Sequence, residues 1–381
     1  MEAWSTHQLI QQGKDALDTA SLTSLRQYAQ ALKAQRLPVV FTLNHLAKIT
    51  GVPYPVLLNT VNRKRETANY KMFAISKRSG GRRHIHAVHK HLHRVHQFIN
   101  QEILQKVQPH YAAQAFHPGG GIRQCAQMHC GARWLFQFDL QDFFYSVNET
   151  AVYEVFKGLG YKPLLAFEFA RLCTTTRLPQ SKKSLLAIDH RAKHLKKYKL
   201  YSLLNKPIGV LPQGAATSPM LSNLVTMPMD QTLEKLANEL GAVYTRYADD
   251  ITLSLTEQLP SGITTGDIHR KITRAITQHG FELNKKKTRV AGPGSKKVVL
   301  GLLVDGQSPR LSKQMYKRIE RLIYACGKFG LEATARHEGF DSVVGFENHL
   351  AGLIAFTKDV DVERWGEFSQ EFYTITPYVS A

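Results

Sequence analysis

Leu22, Leu25, Ala29 and Leu32 recur at helical steps through a polar N-terminal stretch, so helical structure is predicted over residues 1–37. Residues 41–65 read as two more short helices, with Thr42 offering its hydroxyl as a cap. The period then changes. Tyr70-Lys71-Met72-Phe73-Ala74-Ile75 has a strand pattern, Lys77-Arg78-Ser79-Gly80-Gly81-Arg82-Arg83 is a basic turn, and the chain returns around Ile85. Together these predict a basic β-hairpin. Val88, Leu92, Val95, Phe98, Ile99, Ile103 and Leu104 restore helical spacing over 88–106. A Gly-rich loop from Pro118 to Gly121 leads to a strand at Trp134–Leu140 and a helix beginning near Asn148. Further on come a helix over 219–240, a hairpin over 243–254, a helix over 267–279, and strands near 281–290 and 297–304. The C-terminal stretch is mainly helical, with Leu350, Leu353, Ile354 and Phe356 on its buried face. Helices interleaved with hairpins make this an α+β pattern.

Composition narrows the partner. The 381 residues carry 50 Lys plus Arg against 30 Asp plus Glu, a formal charge of +20, with an ordinary 43% apolar content. Such an excess on a non-repetitive folded chain points to a polyanion. No apolar run reaches membrane-spanning length and the acidic, polar N-terminus is unlike a signal peptide, which favours nucleic acid and a cytoplasmic setting. Cys125, Cys130, Cys173 and Cys326 form no C-x-x-C pair, so reduced thiols are expected in place of structural zinc or a disulfide framework.

Candidate chemistry centres on Tyr247-Ala248-Asp249-Asp250, two acids at the tip of a hairpin with apolar flanks. Adjacent acids at a turn either solvate it or hold a divalent metal. Asp139 closes the run Phe136-Gln137-Phe138, either to cap the next turn or to face the hairpin acids from a neighbouring antiparallel strand. Clustered carboxylates repel one another unless cations neutralise them, which would imply Mg²⁺. Leu211-Pro212-Gln213-Gly214-Ala215-Ala216-Thr217-Ser218-Pro219 precedes a helix; it is a plain turn or a place where backbone approaches a ligand closely. Gly280-Phe281-Glu282-Leu283-Asn284-Lys285-Lys286-Lys287-Thr288 reads as a solvated basic face on its own. Lys77, Arg82 and Arg83 suit a triphosphate or form an exposed basic turn. His84, His86, His89, His91, His93 and His96 invite a metal reading, but without an H-E-x-x-H pattern they are expected on the surface or facing nucleic acid.

In combination these residues resemble the reverse transcriptases. Asp139 in a D-x-x-x-F-F context, L-P-Q-G-A-x-T-S-P, Y-A-D-D and G-F-x-L-N-x-x-K-T occur in that family's order across roughly residues 70–305. Tyr247-Ala248-Asp249-Asp250-Ile251-Thr252-Leu253-Ser254 and Lys287-Thr288-Arg289-Val290 look most like the bacterial retron type. The resemblance implies a right-hand polymerase with an N-terminal helical region over 1–69, fingers over 70–135, a palm over 136–305 and a helical thumb over 306–381. It implies two Mg²⁺ ions at Asp139, Asp249 and Asp250. Nucleotide contacts would come from Lys77, Arg83 (or Arg82), Phe144, Gln213, Gly214 and Lys287, with Phe144 excluding a 2′-OH.

The implied activity is RNA-directed DNA synthesis on a structured noncoding RNA, giving single-stranded DNA in an RNA–DNA hybrid from deoxynucleoside triphosphates. Retrons act in antiphage defence, and this chain carries no effector domain of its own, so a separate effector protein is implied. Three departures stand out. The family's N-A-x-x-H is Cys125-Ala126-Gln127-Met128-His129, its V-T-G is Val299-Leu300-Gly301, and residues 181–210 form a basic insertion before Leu211. They leave open another defence-associated or domesticated reverse transcriptase with different priming. A non-catalytic RNA-binding protein on the same scaffold is opposed by the intact acids. An intron-encoded enzyme is opposed by the lack of a maturase or endonuclease extension, and an RNA-dependent RNA polymerase by Phe144.

Overall fold

The basic hairpin forms as expected in the computed structural model, which describes residues 6–14, 16–76, 80–186 and 208–376. Strand β1 (Tyr70–Ser76) pairs antiparallel with β2 (Arg82–Val88), with Ser76 opposite Arg82. A second, four-stranded sheet contains β3 (Trp134–Asp139), β4 (Val243–Tyr247), β5 (Asp250–Leu255) and β6 (Arg289–Ala291), in the order β4-β5-β3-β6. All its neighbours are antiparallel, and β3 lies between β5 and β6.

Strand alternation gives this sheet two distinct faces. Phe136 and Phe138 of β3, with Ile251 and Leu253 of β5, join Ile268, Ile272 and Ile276 of the helix Thr265–Gln278 in the main core. Leu135, one position out of phase, belongs to a smaller cluster with Cys125, Ala126, Val299 and Leu302. The helix Ser218–Glu239 also packs on the sheet side of the main core, through Leu221, Leu224 and Leu233. Its Pro219 occupies the first turn, where a missing N–H costs nothing.

Thr42 caps the helix Leu43–Thr50 by accepting a bond from the His45 amide. The C-terminal helices Lys313–Phe329, Leu331–His337, Val343–Lys358 and Val362–Ile375 build a core of their own around Ile319, Leu322, Phe346 and Phe368. Leu350 and Ile354 are buried in it, and Leu353 packs against it; Phe356 packs on the Val299 cluster instead.

Three expectations need correction. Residues 281–290 are strand only from Arg289 onward: Lys285–Lys287 form a 3-10 turn, because three successive lysines offer no alternating apolar face. Residues 297–304 shrink to the two-residue strands Val298–Val299 and Leu302–Leu303, folded back through Leu300 (φ 49) and Gly301 (φ 88). Two of the histidines expected on the surface are core residues. His86 and His96 are fully buried, each with its Nε2 on a backbone carbonyl, of Arg177 and Leu172 respectively. All four cysteines are free, and among the described residues no helix is long and apolar enough to cross a membrane. Lys77 and residues 187–207 of the expected insertion lie outside the described residues.

Candidate active site

Asp139 and the hairpin acids meet through strand register. β3 and β5 run antiparallel with Asp139 directly opposite Asp250. The β4–β5 hairpin closes from Tyr247 to Asp250, leaving Ala248 and Asp249 as its two-residue tip. Tight hairpins need a positive φ at the tip, and Ala248 supplies it at 56°. A side chain there costs about 1–2 kcal/mol. The turn is held from both sides: the Leu140 amide donates to the Asp249 carbonyl at 2.9 Å, and Arg246 Nη1 donates to the Ala248 carbonyl at 3.1 Å.

Arg246 is a residue that motif reading missed. Its guanidinium is fully buried and grips Asp230 with two bonds, Nε to Oδ1 at 2.8 Å and Nη2 to Oδ2 at 2.7 Å. Nη1 also reaches Asn223 Oδ1, and Tyr244 donates its hydroxyl to Asp230. A signal was available: a lone arginine in the strand Val243-Tyr244-Thr245-Arg246-Tyr247 must find a buried partner or leave the sheet.

A cleft of about 810 Å³ opens over Asp139 and Asp249. Arg83, Phe144, Gln213 and Lys287 line it as well. Of the two arginines, Arg83 lines the cleft and Arg82 does not. Asp250 and Gly214 are outside the lining too. Gly214 is where the loop meets β2: its φ is 113°, a Cβ would sit 2.9 Å from the His86 carbonyl, and the His86 amide donates to Gln213. Phe143 and Phe144 both line the cleft from the short helix Phe143–Ser146, with their rings 5.5 Å apart. Phe143 is buried against Phe281 and beneath Arg246, while Phe144 is only partly covered, with Phe116 6.3 Å away.

The electrostatics are those of crowded carboxylates. Burial and the Asp139 charge push Asp249 above its ordinary pKa. Desolvation, then repulsion from Asp249 and Asp139, pushes Asp250 up to about 6. Lys287 Nζ donates to Asp139 Oδ2 at 2.6 Å, and that bond holds the lysine's pKa high. An ammonium thus stands where these acids attract a cation, so the donor set fits a hard divalent ion. Among the described residues no three acidic, imidazole or thiol groups form a ready-made metal cage, so a cation bound here would lean on substrate oxygens too.

Behind the hairpin, the altered Cys125–His129 segment makes structural contacts. His129 sits between Ser254 Oγ and Thr245 Oγ1, each at 2.7 Å, and Cys125 Sγ also touches Thr245. Burial pushes the His129 pKa down to about 4, so near neutral pH it is an uncharged bridge between β4 and β5.

Comparison with known proteins places the chain in a family. Residues 75–304 match the family model described as reverse transcriptase (RNA-dependent DNA polymerase). The retron Mx65 reverse transcriptase of Myxococcus xanthus is 32% identical over 86% of this chain and 70% of its own length. The retron Ec86 reverse transcriptase of Escherichia coli is 28% identical over 77% of this chain and 81% of its own. A solved telomerase from Candida albicans aligns with 81% of this chain and 56% of that one at 13% identity and a TM-score of 0.40, too distant to bear on the fold.

Proposed function

Because this chain belongs to the reverse transcriptase family, and is an RNA-directed DNA polymerase of right-hand α+β fold, we propose that it is the polymerase of a retron. It copies a structured noncoding RNA into single-stranded DNA and keeps the product as an RNA–DNA hybrid. The setting is cytoplasmic antiphage defence, with a separate protein as effector. The retron relatives support the template class, and the net charge of +20 suits a nucleic-acid partner.

One observation carries the catalytic part: Asp139 and Asp249 share a cleft with Arg83, Phe144, Gln213 and Lys287. Asp139 and Asp249 would hold two Mg²⁺ ions, with Asp250 beside them adding negative charge. When bound, such ions activate the primer hydroxyl and stabilise the leaving pyrophosphate. The chain's own residues do the rest. Arg83, with Lys77, binds the triphosphate, and Gln213 and Gly214 border the incoming nucleotide and templating base. Lys287 gives up Asp139 and turns its ammonium to the phosphates. Phe144 lies under the sugar and excludes a 2′-OH.

Two experiments test this. Asp249→Asn, purified and folded, is expected to lose primer extension on an RNA template; retained extension would sink the catalytic assignment. Protein purified from its native locus should carry single-stranded DNA joined to one structured transcript. Bound duplex or homopolymeric DNA would instead favour a defence-associated or domesticated reverse transcriptase with different priming.

A further inference from the structure

The cleft contains a cation that belongs to none of the family motifs. Lys182 enters it from the 3-10 stretch Gln180–Leu186, where the basic insertion begins. Its Nζ donates to Asp142 Oδ2, on the turn that leaves β3. Asp142 adopts a left-handed conformation, φ 49 and ψ 37, and lines the same cleft. The arrangement repeats the one at Lys287. Asp139 and Asp142 bracket a single turn, and each holds one lysine from a later segment of the chain. With Arg83 on β2, three cations from three separate elements converge on one cavity.

We propose that Lys182 is a nucleotide-contacting residue, binding the phosphates of the incoming deoxynucleoside triphosphate beside Arg83 and Lys287. The proposal rests on reading this cleft as the nucleotide site. An ammonium has three donors, and among the described residues Asp142 takes one from Lys182. The other two are available to a polyanion entering the cleft. Asp142 thereby keeps a flexible four-carbon side chain aimed at the cavity before substrate arrives, which lowers the entropy lost on binding. The side chains of Lys182 and Asp142 are 33% and 23% exposed, so the pair adds little to stability and its removal leaves the fold intact. The role also gives the insertion a function at its base: it supplies the active site with a charge.

The test is steady-state incorporation of dTTP by the full chain on poly(rA)–oligo(dT). Lys182→Ala is expected to raise the KM for dTTP about tenfold, as loss of one charge-assisted bond does, with kcat within about twofold. Lys182→Arg should restore most of the affinity. The exposed neighbour Lys183, which does not line the cleft, serves as control, and Lys183→Ala should leave KM unchanged. An unchanged KM in Lys182→Ala overturns the proposal, as does an equal rise in Lys183→Ala. A change in template–primer affinity without a change in dTTP KM also overturns it, by placing Lys182 on a nucleic-acid strand. Arg83→Ala separates the two levels. If it raises KM while Lys182→Ala does not, only the Lys182 role fails. If neither variant moves KM, the reading of the cleft as a nucleotide site fails.

Discussion

Three aspartates at one corner of the sheet meet three different environments. Asp139 is buried and ion-paired to Lys287, Asp249 is half-buried at the hairpin tip, and Asp250 is the most exposed residue of the three. Asp250 nonetheless titrates high, near 6, through desolvation and the charges of Asp249 and Asp139. The sign of its effect on stability follows from linkage. A carboxyl whose folded pKa exceeds its unfolded value of 3.8 binds its proton more tightly in the native state, so stability falls as pH rises from about 4 to 6. Asp250→Asn should therefore raise the melting temperature in metal-free, low-salt buffer above about pH 6, with the gain shrinking toward pH 4. Solvent screening keeps the effect modest. A melting temperature equal to wild type at every pH would show that the three charges are not coupled. At Phe144 the expectation concerns selectivity. Phe144→Ala should raise ribonucleotide incorporation relative to deoxyribonucleotide on an RNA template, and unchanged discrimination would remove its role as a sugar gate.

At the scale of elements, the hairpin β4–β5 keeps a strained tip in place through a buried ion pair. Asp230, on the helix Ser218–Glu239, holds Arg246, which in turn holds the Ala248 carbonyl. Lysine can keep the charge but cannot span both partners with a planar fork. Arg246→Lys should thus lower kcat about 10- to 100-fold, since a small displacement of Asp249 misplaces the reacting groups, with the KM for nucleotide within about twofold. Circular dichroism like that of wild type would show that the fold survives; a normal kcat would show that the tip stands without the arginine. Much of this hairpin was legible from residues: apolar flanks, a two-residue tip and the acids themselves. The Asp230–Arg246 tie was not, because nothing local to either residue marks its partner. Likewise, alternation correctly marked Trp134–Asp139 as a strand but misled at 281–288, where the backbone is claimed by single bonds to β3 and its turn, Asn284 to Asp139 and Gln141 to Glu282.

Across the whole molecule, a buried cluster binds the N-terminal helices to the rest. Glu149 accepts from Arg63, from Arg171 Nε at 2.7 Å and from the Gly209 amide at 2.8 Å. Burial alone would raise the Glu149 pKa, yet the two arginines hold it below its ordinary value. Glu149→Ala leaves two buried guanidinium groups short of a partner and should cost about 3–5 kcal/mol in denaturant unfolding. A loss under about 1 kcal/mol would show that water or rearranged carbonyls replace the carboxylate. Periodicity and turn chemistry are local properties, and they marked the α+β pattern; the order of the acidic and glycine-bearing motifs carried the resemblance to the polymerase family and made Asp139 and Asp249 candidates. Register, burial and long-range pairing are not local. Asp139 opposite Asp250, Arg83 lining the cleft where Arg82 does not, and Lys182 drawn into it each arise from contacts between chain segments far apart in sequence. A residue's type says which partners it would accept, whereas packing alone decides which of them comes within reach.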